Sequence, residues 1–401
     1  MTALSDLRVI EMGQLLAGPF CGQLMADFGA EVIKIEQPGI GDPMREWGRE
    51  KPHGKSLWWP VIARNKKSVE LNARSSEGQQ IIKDLVARSD VLIENFRPGT
   101  MEKWGLGYDE LSKINPRLIM IRVSGYGQTG PYSEKAGYGS IGEALGGLRY
   151  VIGNPGVAPA RAGISIGDTL AAIFACLGGL MALHARQRTG RGQVVDSAIY
   201  EAVLAVMESL VTEFDKTGYV RERTGAILPN VAPSNVYPTK SGVDMLIAAN
   251  QDSVFRRLAQ AMGRPELADD ARYATHSARG AYQEELDSII ADWTRGLERE
   301  ELGALLDEHG VPRGDIYRAP EMLQDVHFKA RQAIIDIAHP VFGSIKMQNV
   351  APRLSDTPGQ VLVGGPELGA HNQEVFGALL GRPDSELIDL HSRGVIGKSV
   401  P

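Results

Sequence analysis

The chain is short of cysteine, of leader-like sequence, of long apolar runs and of positive charge, and each shortage excludes something. Two cysteines in 401 residues, Cys21 and Cys176, both in small or apolar surroundings, cannot build a disulfide framework; they read as buried free thiols of a reducing compartment. The opening MTALSDLRVIEMG has neither a basic n-region nor an apolar h-region. No charge-free apolar run reaches the roughly 18 residues that span a bilayer. The expectation is a cytoplasmic protein with no membrane partner. The eight histidines are scattered, without His-Glu-x-x-His or paired cysteines, so no metal site is expected. Lys and Arg number 43 against 49 Asp and Glu, a net charge of −6 that gives no overall attraction to nucleic acid. Any polyanionic ligand must be held by a local cluster of cations.

What is present is an alternation. LRVIEM, AEVIKIE, SVELN, DVLIENF and LIMIRVS read as strands, with PFCGQLMADFG, SSEGQQIIKDLVARS (Ser75 or Ser76 as cap) and YDELSKIN as helices between them. Near-continuous apolar strands separated by helices predict an α/β fold, a Rossmann-like parallel sheet covered on both faces. DTLAAIFACLGGLMALHARQ follows as a long buried helix with cations at its end, then the strand-like QVVD and one further helix, SAIYEAVLAVMESLVTEF. The three prolines of GAILPNVAPSNVYPTK suggest a linker, after which a strand, VDMLIAAN, and charged amphipathic helices form a smaller α/β domain. An irregular stretch around 336–360 leads to a short helical segment, HNQEVFGALLG. The domains expected are 1–224, a large domain, and 225–325, a small domain with its linker. Residues 326–401 are a return segment completing the first.

Three local features carry candidate chemistry. Gly125-Tyr126-Gly127-Gln128-Thr129-Gly130 follows a strand, but Pro131 rather than a helix comes next, so the glycines shape a loop instead of a dinucleotide site. RAGISIGDTLAA holds two rival nucleophiles. Ser165 sits in a Gly-x-Ser-x-Gly elbow that lacks a strong strand before it. Asp168 reads as the cap of an apolar helix, and the same helix end would favour its charge and could bind an oxyanion formed beside it. Local sequence leaves both open. The third feature is basic: Arg64-Asn65-Lys66-Lys67, Arg74, Arg97 and Lys103 stand at strand ends, a cluster suited to the phosphates of a nucleotide-like ligand.

RVIEMGQLLAGPFCGQLMADFGAEVIKIEQPGIGD, RNKKSVELN, DVLIENFRPGTMEKWGLGYDEL, GYGQTGP, the Gly-Asp before an apolar helix and RTGRGQVVD together resemble the class III CoA transferases. That family includes formyl-CoA:oxalate, carnitine and succinyl-CoA:dicarboxylate CoA transferases, and is related to α-methylacyl-CoA racemase. The resemblance implies two domains and an interlocked homodimer. It implies no permanently bound cofactor, a coenzyme A thioester and a carboxylic acid as substrates, and Asp168 as catalytic nucleophile, with no role for Ser165. For coenzyme A it implies contacts from Leu71, Arg74, Asn95, Phe96, Arg97, Lys103, Gly137 and Tyr138.

Racemisation requires a histidine base in the segment matching Ala136-Gly137-Tyr138-Gly139. Tyr138 stands there, and a phenol, titrating near about 10 in water, is a poor base at pH 7. Leu16 replaces the glutamine of the formyl-CoA:oxalate branch, and Ala248-Ala249-Asn250-Gln251 replaces its run of glycines. The expected reaction is therefore transfer from succinyl-CoA to a C4 to C6 dicarboxylate such as glutarate, citramalate, mesaconate, itaconate or malate. KAGYGSIGEALGGL and NVAPRLSD resemble the glutarate-type enzymes in particular. Arg45 or Arg64 is the expected cation for the distal carboxylate. The alternatives are formyl-CoA:oxalate-type or carnitine-type transfer, racemisation, and a serine thioesterase.

Overall fold

A computed structural model describes residues 2–398. The chain divides into two compact units, one of Met1–Arg149, Ala162–Thr212 and His327–Pro401, the other of Tyr150–Arg161 and Glu213–Val326. The second unit thus begins at 213 and takes in a strip around 155, where the sequence suggested a boundary at 225.

In the first unit β1 (Arg8–Glu11), β2 (Glu31–Glu36), β3 (Lys66–Glu70), β4 (Val91–Glu94), β5 (Ile119–Ser124) and β6 (Val194–Ala198) form one parallel sheet, ordered β3-β2-β1-β4-β5-β6. The strands are apolar at successive positions because each face has its own core. Val9, Val32, Val91, Ile119 and Ile121 enter one, while Ile10, Ile33, Leu92 and Met120 enter the other. The first core is closed by α1 (Ala17–Asp27) and the long crossover helix between β5 and β6. The second is closed by α2 (Ser76–Val86), α3 (Tyr108–Ile114) and the returning C-terminal segment. Ser75 is the cap of α2, its hydroxyl accepting from the Gly78 amide at 3.1 Å. Because the order reverses between β1 and β4, the crevice beyond their carboxyl ends is where such a sheet binds ligands.

After β5 come α4 (Gly139–Leu145) and α5 (Ile166–Thr189), the long crossover helix. With 24 residues, α5 is long and apolar enough to cross a membrane, although no such run stands out in the sequence. It packs a face of small residues, Ala171, Ala172, Ala175, Gly179 and Ala182, into the first core, and this lets it lie close to α1 and the sheet. The single helix expected after β6 is two, α6 (Ile199–Leu204) and α7 (Leu210–Thr217), because Glu208 adopts a left-handed φ of 53° that ends the helical path between them.

In the second unit β7 (Ser234–Pro238), β8 (Asp244–Ala248) and β9 (Arg313–Asp315) form an antiparallel sheet. Over it α8 (Asp252–Ala261), α9 (Gln283–Thr294) and α10 (Arg299–Glu308) close a separate core. The proline-rich stretch expected as linker therefore contains a strand, with Pro238 tolerated at its end. The stretch expected to be irregular is partly a hairpin of β10 (Ile334–His339) and β11 (Gly343–Gln348). The return segment is tied to the edge strand β3. Ser68 N–H donates to His371 Nδ1 (3.1 Å), Glu70 N–H donates to Asn372 Oδ1 (2.8 Å), and Leu71 pairs with Ile396.

Candidate active site

The loop leaving β1 at the topological switch point is held from every side. Asn95, just past β4, grips Gln14 by both backbone groups, its Oδ1 accepting at 2.7 Å and its Nδ2 donating at 2.9 Å. Asp42 Oδ1 accepts from the Leu15 amide (3.0 Å), and the Lys34 ammonium donates to the Gly13 carbonyl. Leu15 takes a left-handed φ of 62°, a strained conformation for a branched residue that these contacts enforce.

Behind the loop lies a buried charge network. Glu11 lies between Lys34 (3.2 Å) and Lys66 (2.7 Å), and Lys34 also meets Asp42 at 2.6 Å. All four side chains are almost wholly buried. Burial works against the Lys34 ammonium, but Asp42 and Glu11 outweigh it and its pKa is raised. For Lys66 burial wins and the pKa is lowered despite Glu11. Burial likewise pushes the Asp42 carboxyl up, yet Lys34 and the Met44 and Leu15 amides bring it below its usual value.

Two expected substrate cations belong to this framework. Arg45 makes a two-pronged pair with Glu36 (2.7 and 2.8 Å), donates to the Pro366 carbonyl and lies 3.7 Å from the centre of the Trp59 ring. Arg64 is buried, paired with Asp27 at 2.6 Å and donating to the Gln348 carbonyl at 2.6 Å. Both guanidinium groups meet carboxylates, Arg64 wholly in the interior and Arg45 beside a pocket lined by Trp59, His339 and Glu367. Leu71 is also interior, closing the strand end beyond which Arg74 stands.

The cations beyond β3 and β4 differ. Arg74, Arg97 and Lys103 are exposed, and among the described residues none has an ion-pair partner. The segment carrying two of them is braced from below. Arg122 on β5, buried, donates from Nε to Glu94 (2.6 Å) and from Nη1 to Glu102 (2.7 Å), while Glu94 accepts from the Phe96 amide (2.7 Å). Glu94 and Glu102 bracket Asn95–Met101, with Lys103 directly after, so one guanidinium fixes both ends of that segment. Phe96 stands edge-on to Trp104 with ring centres 5.1 Å apart. Sequence reasoning passed over Arg122; its signal was a lone charge inside the apolar run IMIRVS.

Asp168 is the third residue of α5, in its first turn; the N-cap position belongs to Ser165, whose side chain makes no capping bond. Asp168 therefore does not cap the helix as the sequence suggested. No strand runs into Ser165, so the elbow geometry of a serine hydrolase is absent there. Both α1 and α5 start at the carboxyl edge of the sheet, since each crosses back from a parallel strand. Ala17 and Ala171 accordingly share one core. The Asp168 carboxylate lies directly over Gly139, the first residue of α4: a β-carbon built on Gly139 would stand 2.1 Å from Oδ2. Gly137 lies on the loop after β5, where a β-carbon would meet Gly125 Cα and the Tyr126 ring at 3.1 Å. Tyr138 is 68% exposed beside it. The structure thus gathers Asp168, Gly137 and Tyr138 at the start of α4, and Asn95, Phe96, Arg97 and Lys103 after β4.

A doubly wound sheet carrying a carboxylate at the mouth of a long helix and unpaired cations beyond neighbouring strands defines an α/β enzyme for an anionic ligand. Residues 4–372 match the family described as CoA-transferase family III. The chain belongs to that family and is a class III CoA-transferase. It is 62% identical over 393 residues to a succinyl-CoA–D-citramalate CoA-transferase of Chloroflexus aurantiacus, with 98% of each chain covered. It is 42% identical over 396 residues to a succinyl-CoA–L-malate CoA-transferase beta subunit of the same organism, again with 98% of each covered. A solved CaiB/BaiF family protein from Brucella suis superposes with a TM-score of 0.83 at 34% identity, over 94% of this chain and 99% of that one.

Proposed function

We propose that the protein transfers CoA from succinyl-CoA to a four-carbon-backbone dicarboxylate, citramalate or malate, through Asp168. The observation that carries this reading is the placement of Asp168 in the first turn of a 24-residue helix, where the helix dipole favours negative charge. The named relatives, whose acceptors are both 2-hydroxydiacids, support the substrate class.

In this reading an Asp168 oxygen attacks the thioester carbonyl, the C–S bond breaks, and a mixed anhydride and CoA thiolate result. The thiolate then attacks the aspartyl carbonyl, succinate leaves, and CoA is held as an aspartyl thioester. The acceptor carboxylate attacks that thioester, again expelling thiolate. The thiolate finally attacks the acceptor's acyl carbon, releasing the new CoA ester and the free Asp168 carboxylate. Each step exchanges activated acyl groups of similar energy, so neither ATP nor a metal ion is needed. Arg74, Arg97 and Lys103 hold the CoA phosphates, Asn95 and Phe96 line the path between, and Gly137 with Tyr138 borders the carboxylate. The large unit binds CoA, and the protein acts in the cytoplasm as the interlocked homodimer that the resemblance implies. The exposed apolar face of α5, with Ile173, Leu177 and Met181, is consistent with cover by a second copy.

Weighing the intact protein after incubation with succinyl-CoA is the test. The expected adduct is one CoA thioester mapping to Asp168, lost in Asp168→Ala together with transfer, while Ser165→Ala keeps most activity. Acylation at Ser165, or full transfer by Asp168→Ala, would overturn the reading. A panel of citramalate, malate, mesaconate, itaconate, glutarate and oxalate, read by the mass of the CoA esters formed, identifies the acceptor.

A further inference from the structure

We infer that Gly139 is the positioning residue for the Asp168 carboxylate, because the volume a side chain would take at 139 is the volume the carboxylate occupies. A β-carbon there would lie 2.1 Å from Oδ2, 2.6 Å from Cγ and 3.0 Å from Oδ1, and these three atoms of one side chain are its nearest neighbours. Other glycines of the region are required for a different reason. A β-carbon on Gly125 would meet the Gly137 backbone at 2.9 Å, and one on Gly167 would meet the Gly139 carbonyl at 2.8 Å, so those positions let backbones touch.

Nothing in the backbone itself asks for glycine at 139. Its φ is not among the positive ones, it opens a helix, and alanine in a helix is favoured over glycine by about 1 kcal/mol. The two helices are also closely seated. Gly142 and Gly146 seat α4 on Ile199 and Val203, where added β-carbons would come within 2.4 and 2.6 Å, and the α5 start lies against the Gly139 carbonyl at Gly167. The group in conflict is the end of the Asp168 side chain and not backbone. A methyl group at 139 would therefore turn the carboxylate out of its place and leave the fold intact.

This inference rests on the reading of Asp168 as nucleophile, and its test separates the two. Gly139→Ala should slow formation of the aspartyl-CoA adduct on the order of 100-fold, the cost of roughly 1 Å of misplacement. The KM for succinyl-CoA should stay within about threefold, since binding groups elsewhere are untouched. Thermal unfolding then reads the contact independently of turnover. Gly139→Ala should lower the Tm of the native protein but leave that of Asp168→Ala unchanged or higher, because Cγ and both oxygens are gone. An equal loss of Tm in both backgrounds, or native turnover by Gly139→Ala, overturns the role of Gly139. If Gly139→Ala alone does not fold, the double variant decides: folding supports the inference, and failure places the collision on backbone and overturns it. Transfer retained by Asp168→Ala would sink the nucleophile while leaving the unfolding comparison valid.

Discussion

Two groups of cations border the same sheet, and they could hardly be treated more differently. Lys34, Lys66, Arg45 and Arg64, around β1 to β3, are buried or nearly so, each within reach of a carboxylate and of at least one backbone carbonyl. Arg74, Arg97 and Lys103, around β3 and β4, are exposed and without an ion partner among the described residues. In the first group Lys34, with Asp42, fixes the Gly13–Leu16 loop; the second group is open to an external anion. What distinguishes them is the supply of acidic residues nearby, not the cations themselves. Glu11, Asp27, Glu36 and Asp42 meet the first group, whereas the acids near Arg97, Glu94 and Glu102, are both occupied by Arg122.

The largest effect expected from breaking this contrast is on stability. Lys66→Met removes a buried cation and leaves Glu11 with Lys34 alone. Stripping one partner from a buried ion pair costs about 3–5 kcal/mol. Urea unfolding should show a loss of that order at pH 7. A loss below about 1 kcal/mol, the worth of an exposed pair, would mean that the network is solvated and that the contrast is false.

This contrast also marks the limit of what the sequence discloses. The parallel sheet was legible because its strands are continuous apolar runs, a signature of burial on both faces that RVIE, EVIKIE and VLIE all carry. The chain-wide motifs made the family legible as well. The carboxylates that meet Arg45 and Arg64 were not legible, because a cation near a strand end looks alike whether or not an acid folds back onto it. Glu36 lies nine residues from Arg45 and Asp27 lies 37 from Arg64, separations at which pairing depends on the tertiary path. Gly139 was invisible for a related reason: the three atoms nearest a β-carbon there belong to a side chain 29 positions later. The hairpin of β10 and β11 was hidden by Pro340 and by Gly343, which bound its turn.

A smaller effect is expected at the open cations, and of a different kind. Arg97→Ala should raise the KM for succinyl-CoA by about tenfold, roughly 1.4 kcal/mol of phosphate contact, with the KM for the acceptor and the Tm nearly unchanged. The difference from the native enzyme should shrink as salt is raised, since an exposed contact is screened. A fall in Tm without a change in KM would place Arg97 in the framework group and erase the distinction.

A last test sharpens the comparison through pH. Asp42→Asn keeps an oxygen for the Leu15 and Met44 amides but loses the charge that faces Lys34 at 2.6 Å. Burial raises the Asp42 carboxyl and Lys34 lowers it further, so its folded pKa lies below the ordinary value of 3.8. A depressed acid contributes stability that is fully present above its unfolded pKa and is lost as pH falls through the folded one. The native protein should therefore exceed Asp42→Asn in stability by a constant margin from neutral pH down to about 4, and the margin should narrow below that. Urea midpoints at pH 7, 4.5 and 3 measure it. A margin that does not narrow at pH 3 would show that the carboxylate acts there by shape and hydrogen bonding, with no contribution from its charge.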